Sequence, residues 1–232
     1  MPKPKIVVIS GAGISAESGL STFRGSGGLW EGYDIQEVAS PQGWETDPET
    51  VLQFYNLRRR QAAEAKPNKA HKALADLEKQ FEVVIITQNV DDLHERAGSN
   101  DVMHLHGELR KARSEKDESL VIDIGSDPIN LGDLAEDGAQ LRPHVVWFGE
   151  MVPMIETAAM EVAKADILIV VGTSLVVYPA AGLIDYAKTG IPKYIIDPSE
   201  PQLLDQEGWI HYKENAGTGV KKLAEKLKKE IS

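Results

Sequence analysis

The chain has 232 residues, of which 42% are hydrophobic and 26% are charged, so it can build one well-packed core without covalent staples. Its formal net charge of -11 disfavours a general nucleic-acid binder and suits an encounter with a basic, lysine-rich peptide. Because the chain contains no cysteine, it can form neither a disulfide nor a thiolate metal site.

The start of the chain bears on cellular location. Residues 1–5 run directly into a short apolar segment, without the longer apolar region and the cleavage site of a secretory signal. No stretch of the sequence approaches the roughly 18 apolar residues of a membrane span. We therefore expect a cytoplasmic protein with no membrane partner and no specific nucleic-acid partner, and we expect a monomer.

Short, β-branched apolar runs bounded by turn residues predict buried strands. In chain order these runs are residues 6–9, 83–86, 145–147, 167–171 and 194–196. Helices are predicted between most of them, at residues 47–65, 68–80, 155–164, 180–189 and 219–231; the first begins at Asp47-Pro48, a suitable N-cap and N1 pair. Strands that alternate with helices predict an α/β fold, with a Rossmann-like parallel sheet covered by helices on both faces.

One segment interrupts this alternation. Residues 110–142 are acidic and rich in Gly, Asp and Ser, with a single short apolar stretch at 120–124. We predict one domain over residues 1–232 with two parts. The larger, Rossmann-like part covers about 1–35, 68–109 and 143–232, and the smaller module covers about 36–67 and 110–142.

The residues after the first predicted strand, Ser10-Gly11-Ala12-Gly13-Ile14-Ser15-Ala16, indicate a dinucleotide-binding turn. The glycines let the backbone approach a ligand, and the start of a following helix would offer free N–H groups to a pyrophosphate. A tight turn in any α/β protein is the alternative. A dehydrogenase should show an acidic strand end about 20 residues later, whereas a polar, glycine-rich loop follows here. In that loop Arg24 could reach cofactor phosphates, and Phe23 could shield a reactive carbon.

Polar residues also follow the second strand, in the sequence Gln88-Asn89-Val90-Asp91-Asp92. Such amides and carboxylates suit ribose hydroxyls and a carboxamide at the carboxyl end of a strand, although a simple helix N-cap is an alternative. His104 and His106 come next. A structural histidine or a metal ligand is the alternative to a catalytic base, but no third metal ligand is evident nearby. The position of His106 before a glycine, near Asn89 and Asp91, favours a functional role.

Taken together, these motifs resemble the sirtuin family in order and spacing. They are Gly11-Ala12-Gly13-Ile14-Ser15, Thr22-Phe23-Arg24, Gln88-Asn89-Val90-Asp91, His106-Gly107, Val146-Trp147-Phe148-Gly149-Glu150 and Gly172-Thr173-Ser174. The resemblance implies an NAD-dependent protein lysine deacylase. In that chemistry the acyl oxygen attacks C1′ of the nicotinamide ribose, nicotinamide leaves, and an alkylimidate forms. A ribose hydroxyl then attacks the imidate, and the products are free lysine and O-acyl-ADP-ribose.

The resemblance also implies roles for single residues. His106 would be the general base, and Asn89 would hold the nicotinamide ribose. Asp91 would hold the carboxamide, and Phe23 would cover C1′ after nicotinamide leaves. Further contacts to NAD would come from Gly11, Ala12, Gly13, Ile14, Ser15, Glu17, Arg24, Trp30, Gln88, Gly172, Thr173, Ser174, Asp197 and Ala216.

The acyl-lysine substrate would lie on the other side of the cleft. An extended peptide would pair with residues 146–150 and 175–178 by β-strand addition; the first segment contains Val146, Trp147, Phe148, Gly149 and Glu150.

Tyr55 and Arg58 predict the class of acyl group. They share a helix face, and arginine binds carboxylates through a planar fork. A solvated arginine beside a core tyrosine is the alternative. The pair resembles the Tyr-x-x-Arg of sirtuins that accept succinyl-, malonyl- or glutaryl-lysine, and Ala39 matches the small residue in their pocket. We therefore expect removal of acidic acyl groups as well as acetyl.

The chain departs from the family in one respect. Most sirtuins bind structural zinc through four cysteines in the segment that matches residues 110–142, and none is present here. Asp123, Asp127, Asp133 and His144 do not show a zinc spacing, so we expect no metal. Three rival functions remain at this stage: an NAD-dependent mono-ADP-ribosyltransferase or NAD glycohydrolase, a non-catalytic module that binds NAD or ADP-ribose, and a Rossmann dehydrogenase.

Overall fold

The computed structural model describes residues 2–22, 29–30, 32–200 and 208–231. Its main sheet has six parallel strands in the order β11-β10-β9-β1-β4-β5. These strands are β1 Lys5–Ser10, β4 Glu82–Thr87, β5 Val102–His104, β9 Ile167–Val171, β10 Lys193–Ile196 and β11 Trp209–Tyr212. The central ones are continuous apolar runs because helices cover both faces of a parallel sheet. The predicted Rossmann-like α/β fold is confirmed.

The two faces of the sheet hold separate cores. Val8 and its neighbours on one face pack against α4 (Lys69–Leu77) and α7 (Ala216–Ile231). Val7 and its neighbours on the other face pack against α6 (Ile155–Lys164) and the 3₁₀ helix Ala180–Tyr186. Successive strand side chains point to opposite faces, so a single strand contributes to both cores. The short helix α5 (Leu93–Ala97) follows β4.

A smaller module packs beside this sheet. Its three-stranded antiparallel sheet has the order β7-β6-β8, with β6 Gly107–Ser114, β7 Val121–Asp123 and β8 Leu141–Val145. The helices α1 Ile35–Val38, α2 Pro41–Thr46 and α3 Pro48–Glu64 accompany it, preceded by the two-stranded hairpin β2 Leu29–Trp30 and β3 Tyr33–Asp34. Phe54, Leu109 and Val145 belong to one buried cluster, which joins α3 to both long strands of the module.

Several predicted elements need correction. Residues 145–147 were predicted as a strand beside the others, but only Val145 is in a strand, at the end of β8 in the small sheet. Val145 and Trp147 pack against α3, and an apolar run does not reveal which sheet it joins. The helix predicted at 180–189 is a 3₁₀ helix that ends at Tyr186. The edge strands β5 and β11 were not predicted, because strands at the edge of a sheet are short and only partly buried.

Within the described residues, no helix combines the length and the apolar character that a membrane crossing requires.

Candidate active site

The carboxyl ends of three neighbouring strands meet in one crevice. β1 pairs with β4 on one side and with β9 on the other, so Ser10 lies between Thr87 and Val171. After β1 the chain first forms β4 on one side of β1 and later forms β9 on the other side. The carboxyl ends of these strands therefore make a topological switch point. Open α/β sheets bind ligands at such points. The glycine loop after β1 and the polar residues after β4 both lie at this edge.

Hydrogen bonds tie the loops of this crevice together. The Gln88 backbone N–H donates to Ser10 O over 2.9 Å, and its side-chain Nε2 donates to Thr173 Oγ1 over 3.3 Å. Asn89 Nδ2 donates to Gly11 O and to Ser15 Oγ, each over 3.2 Å. The predicted motifs after β1, β4 and β9 are therefore brought together as one polar cluster.

Glycines allow the loops after β1 and β9 to touch. Gly13 N donates to Gly172 O over 2.8 Å, and Gly172 has a φ of +64°. A Cβ on Gly13 would lie 2.7 Å from Gly172 Cα, and one on Gly172 would lie 2.3 Å from Ile14 N. Both distances are shorter than real contacts, so neither position accepts a side chain without a shift of backbone.

One expectation about this loop is wrong. Residues 12–18 form two single 3₁₀ turns, Ala12–Ile14 and Ala16–Ser18, where a helix start with free N–H groups was predicted. The N–H groups of Gly13, Ile14 and Ser15 already donate to carbonyls of the protein. These three N–H groups are therefore not free for a phosphate.

His106 is oriented by the backbone next to Asn89. Its Nδ1 lies 3.0 Å from Gln88 O. Since a carbonyl oxygen can only accept, Nδ1 carries the proton and Nε2 keeps its lone pair. Burial lowers the pKa of His106, against the opposing effect of the hydrogen bond to Gln88. Among the described residues, no hydrogen bond to Nε2 is found, so the ring is a neutral base with its basic nitrogen available.

Asn89 and Asp91 are both buried, with 6% and 7% of their surface exposed. Asp91 accepts hydrogen bonds from Ser15 Oγ over 3.1 Å and from Leu93 N over 3.2 Å. Burial raises the pKa of Asp91. The bond from Leu93 N supports the turn that leads into α5, whose N-cap residue, Asp92, makes no side-chain capping bond, and the other Asp91 oxygen faces the glycine loop. The Oδ1 of Asn89 accepts no hydrogen bond from the described part of the chain.

The two histidines of the His104-Leu105-His106 motif differ in their contacts. His104 Nδ1 lies 3.0 Å from Asn89 O, and its Nε2 lies 2.7 Å from Glu95 Oε1. Burial lowers the pKa of His104, but the hydrogen bond and charge of Glu95 outweigh this, so the net shift is upward. Both ring nitrogens are engaged, and His104 therefore supports Asn89 while His106 remains available for chemistry.

Other predicted cofactor residues lie towards β10. Glu17 Oε2 accepts from Gly217 N over 2.6 Å, which brings the second 3₁₀ turn next to Ala216 at the start of α7. Asp197 directly follows β10, is 3% exposed, and accepts from Ser199 N over 2.9 Å. Like Gln88, these residues lie at the carboxyl ends of the parallel strands, but on the opposite side of β1. Phe23, Arg24 and the side chain of Trp30 lie outside the described residues.

The predicted substrate residues form a second group, joined to the first by backbone. Val146 N donates to His106 O over 2.9 Å, and Phe148 N donates to Ala39 O over 2.9 Å. Trp147 Nε1 donates to the Tyr55 hydroxyl over 3.1 Å. The loop after β8 is therefore held between the histidine and helix α3, and Gly149, with a φ of +92°, permits its turn.

Tyr55 and Arg58 share one side of α3, as predicted from their spacing. Burial raises the pKa of Tyr55 to about 12, against the opposing charge of Arg58, so the phenol is a neutral hydrogen-bonding group. Arg58 is half-buried, and its Cζ lies 5.7 Å from the ring centroid of Phe54. Tyr55 is a core residue, as the alternative has it, whereas Arg58 is partly covered by its neighbours.

Glu150 holds the loop after β8 in place. Its carboxylate accepts from Arg142 over 2.7 and 3.2 Å and from Trp147 N over 2.7 Å. The Arg142 Cζ also lies 3.3 Å from the Trp147 ring centroid. Glu150 therefore supports this loop through both carboxylate oxygens, and its contact with substrate stays a prediction.

Sequence reasoning missed a buried polar network behind the cleft. Ser10 Oγ lies 2.9 Å from Thr87 Oγ1 and 3.0 Å from His94 Nε2, and the His94 ring packs edge-on against His71 with centroids 4.8 Å apart. Thr87 Oγ1 also accepts from Asn89 N over 3.0 Å. The available signal was a hydroxyl at the last position of two otherwise apolar strands. Among the described residues, no group of three or more His, Asp or Glu could hold a metal ion.

The switch-point crevice, its glycine loop and its half-buried histidine define a nucleotide-binding fold with a catalytic cleft. The model of the Sir2 family matches residues 11–179. The chain is 57% identical to an NAD-dependent protein deacylase of Helicobacter pylori over 96% of this chain and 94% of that protein. It is 44% identical to one of Escherichia coli strain K12 over 99% of this chain and 84% of that protein. The chain belongs to the Sir2 family, and the predicted resemblance is confirmed.

Solved structures agree with this assignment. A complex of a Sir2 homologue with NAD has a TM-score of 0.89 and 42% identity, covering 99% of this chain and 91% of that one. A Sir2 protein bound to an acetylated peptide has a TM-score of 0.79 and 29% identity, covering 99% of this chain and 95% of that one.

Proposed function

We propose that this protein removes succinyl and malonyl groups, as well as acetyl groups, from lysine side chains of proteins. It is an NAD-dependent protein deacylase, and NAD is its co-substrate, as for the relatives that match nearly the whole chain. The finer proposal, that acidic acyl groups are accepted, is supported by the pair Tyr55 and Arg58 on α3, with Tyr55 in the same buried cluster as Ala39. The single observation that carries the chemistry is the orientation of His106 by Gln88 O.

The residues of the cleft fit NAD. When bound, NAD supplies a ribose whose bond to nicotinamide can break, together with ribose hydroxyls that can attack an acyl group. Ribose hydroxyls are hydrogen-bond donors, and the cleft presents two acceptors, Asn89 Oδ1 and His106 Nε2, that have no donor among the described residues. Asn89 also contacts Gly11 of the glycine loop. The acceptors and the loop therefore lie close enough together to serve one nucleotide.

His106 moves the proton in this proposal. Its Nε2 takes a proton from a ribose hydroxyl, and its Nδ1–H continues to donate to Gln88 O. That carbonyl stabilises the imidazolium as it forms, since a protonated ring donates a stronger hydrogen bond. Burial keeps the ring neutral beforehand because it lowers the pKa. The base is thus in its reactive form at neutral pH.

Asp91 and Ser15 orient the reacting end of the nucleotide. The Asp91 carboxyl is buried beside Ser15 Oγ, at the end of the glycine loop that contacts Asn89. A buried carboxyl in this position can bind the carboxamide of nicotinamide through its amide N–H groups. Burial raises the pKa of Asp91, against the opposing effect of the hydrogen bonds from Leu93 N and Ser15 Oγ, which favour the carboxylate.

Acyl selectivity is assigned to helix α3. The half-buried Arg58 guanidinium can pair with the distal carboxylate of a succinyl or malonyl group, and the Tyr55 phenol lies one turn away on the same face. Trp147 holds that phenol in place from the loop that contacts the peptide. An acetyl group has no distal carboxylate and does not depend on Arg58.

Mass spectrometry of acetyl- and succinyl-peptides incubated with the enzyme and NAD tests the proposal. Arg58→Met should lower desuccinylation by about 10- to 100-fold, the worth of a hydrogen bond to a charged group, and leave deacetylation largely intact. Arg60→Met is the matched control, because Arg60 is exposed on the same helix. His106→Ala should abolish both activities. Equal loss of both activities in Arg58→Met would defeat the acyl assignment, and nicotinamide release without acyl-peptide would favour a glycohydrolase.

A further inference from the structure

A second pocket lies between α3, α5 and the start of β6. Its volume is about 320 Å³, within the range of small-molecule sites. Of the described residues, its wall includes Val90, Asp91 and Asp92 but neither Asn89 nor His106. The pocket and the cleft therefore share the segment after β4 as a common wall, since Asp91, assigned above to the cleft, also lines this pocket.

A buried arginine lies in the wall of this pocket. Arg59 is 2% exposed, its Nε donates to Leu109 O over 2.6 Å, and its Nη1 donates to Asn56 Oδ1 over 2.6 Å. Its Nη2 is buried and has no hydrogen-bond partner among the described residues. Burial lowers the pKa of Arg59 to about 10, and no neighbouring carboxylate opposes that shift.

The other arginines of the wall differ from Arg59 because each has a carboxylate partner. Arg96 pairs with Asp92 over 3.2 Å and also donates to carbonyls at the end of α3. Arg110 pairs with Asp123 over 2.8 Å and approaches Asp92 at 3.7 Å. A buried guanidinium without a counter-charge is costly. Among the described residues, Arg59 is therefore the one arginine of this wall without a carboxylate at salt-bridge distance, although the Asp91 carboxyl also borders the pocket.

We propose that this pocket binds one compact anion, with a carboxylate or phosphate group, through Arg59. Guanidinium groups recognise both anions by charge-assisted hydrogen bonds. The site also has a route to the cleft. Leu109 O accepts from Arg59, and Leu109 N donates to Val90 O over 2.8 Å. An anion on Arg59 would therefore stabilise the segment that carries Asn89 and Asp91.

Calorimetric titration of inorganic phosphate and of succinate, at constant ionic strength in chloride, tests this site. The protein is first saturated with ADP-ribose, so that phosphate cannot occupy the cleft, and the succinate titration is repeated on Arg58→Met, so that binding in the proposed acyl pocket is recognised by its loss. One of the two anions should bind with one-to-one stoichiometry. Binding of phosphate or of succinate then shows whether the site recognises a phosphate or a carboxylate group. Binding of neither anion to the wild-type protein overturns the proposal.

Variants at Ala63 keep the test independent of folding. Ala63 is exposed on α3 and lines the pocket, so a change there leaves the bonds of Arg59 to Asn56 and Leu109 in place. Ala63→Glu places a competing carboxylate at the pocket and should weaken anion binding by about tenfold or more, as should Arg59→Met. Ala63→Gln has the same shape without the charge and should bind within about twofold of wild type. Equal binding by the Glu and Gln variants overturns the proposal.

Discussion

The indole nitrogen of Trp147 donates a hydrogen bond to the hydroxyl of Tyr55 over 3.1 Å, across 92 positions of the chain. Both side chains are nearly inaccessible, at 2% and 1% exposure. The bond joins the loop that carries Phe148 to the helix that carries Arg58. The proposed peptide-binding loop and the proposed wall of the acyl pocket therefore form one packed unit, and a change in either should affect the other.

Tyr55→Phe should lower the free energy of unfolding by about 1–3 kcal/mol, because it leaves the buried indole N–H of Trp147 without an acceptor. Desuccinylation should also fall more than deacetylation. Urea denaturation and peptide assays measure the two effects. Tyr33→Phe is the matched control, since the Tyr33 hydroxyl makes no hydrogen bond within the described residues and its ring packs in the same cluster. Equal destabilisation by both variants would contradict the assigned role.

The acid limb of kcat/KM should have its inflection below pH 6.5. His106 acts as a base only when neutral, and burial lowers its pKa from 6.5. Activity is therefore expected to persist into mildly acidic solution and then to decline as His106 gains a proton. A pH profile with an acetyl-peptide measures this limb. An inflection above pH 6.5 would exclude His106, in this environment, as the group that titrates.

Stability should fall as the pH drops from 6.5 towards 4. Burial lowers the pKa of His71 to about 4 and that of His94 well below 6.5, so the unfolded chain binds protons first in this window. Stability is present above the unfolded pKa and is lost as the pH falls, by roughly 3 kcal/mol for His71.

His71→Gln tests whether protonation of His71 causes this loss of stability at low pH. Glutamine does not titrate and can still accept the hydrogen bond from Asn68 N that closes the capping box of α4. The free energy of unfolding, measured by urea at several pH values, should therefore depend less on pH between 6.5 and 4 in the variant. An unchanged slope would mean that the acid sensitivity comes from other groups.

Gly172→Ala should weaken binding of ADP-ribose and destabilise the fold by more than about 1 kcal/mol. The added Cβ would lie 2.3 Å from Ile14 N and would push the glycine loop away from β9. Gly190→Ala separates the effect of backbone strain from the effect of the close contact. Gly190 also has a positive φ, of +80°, but there is open space around its Cβ position. Calorimetry with ADP-ribose compares the variants. A similar loss of affinity in both would refute the importance of the close contact.

Sequence alone determined the class of fold and the family. Buried parallel strands are continuous apolar runs, so the segments at 6–9, 83–86, 167–171 and 194–196 could be predicted from local composition. The functional motifs stand at the ends of such strands, where side chains are not used for packing. Their identity and order therefore reflect chemistry more than the core, and they predicted NAD, the family and His106. The cytoplasmic location and the monomeric state stay predictions.

Tertiary structure decided how those residues act. The tautomer of His106 depends on Gln88 O, the engagement of Glu150 depends on Arg142, and the free donors of Arg59 depend on which carboxylates lie nearby. The position of the glycine loop likewise depends on the bond from Gly13 N to Gly172 O. Each of these features is a contact between segments that pack together only in the folded chain. Local sequence sets what a residue can do, whereas its protonation, partners and accessibility depend on neighbours that local sequence does not specify.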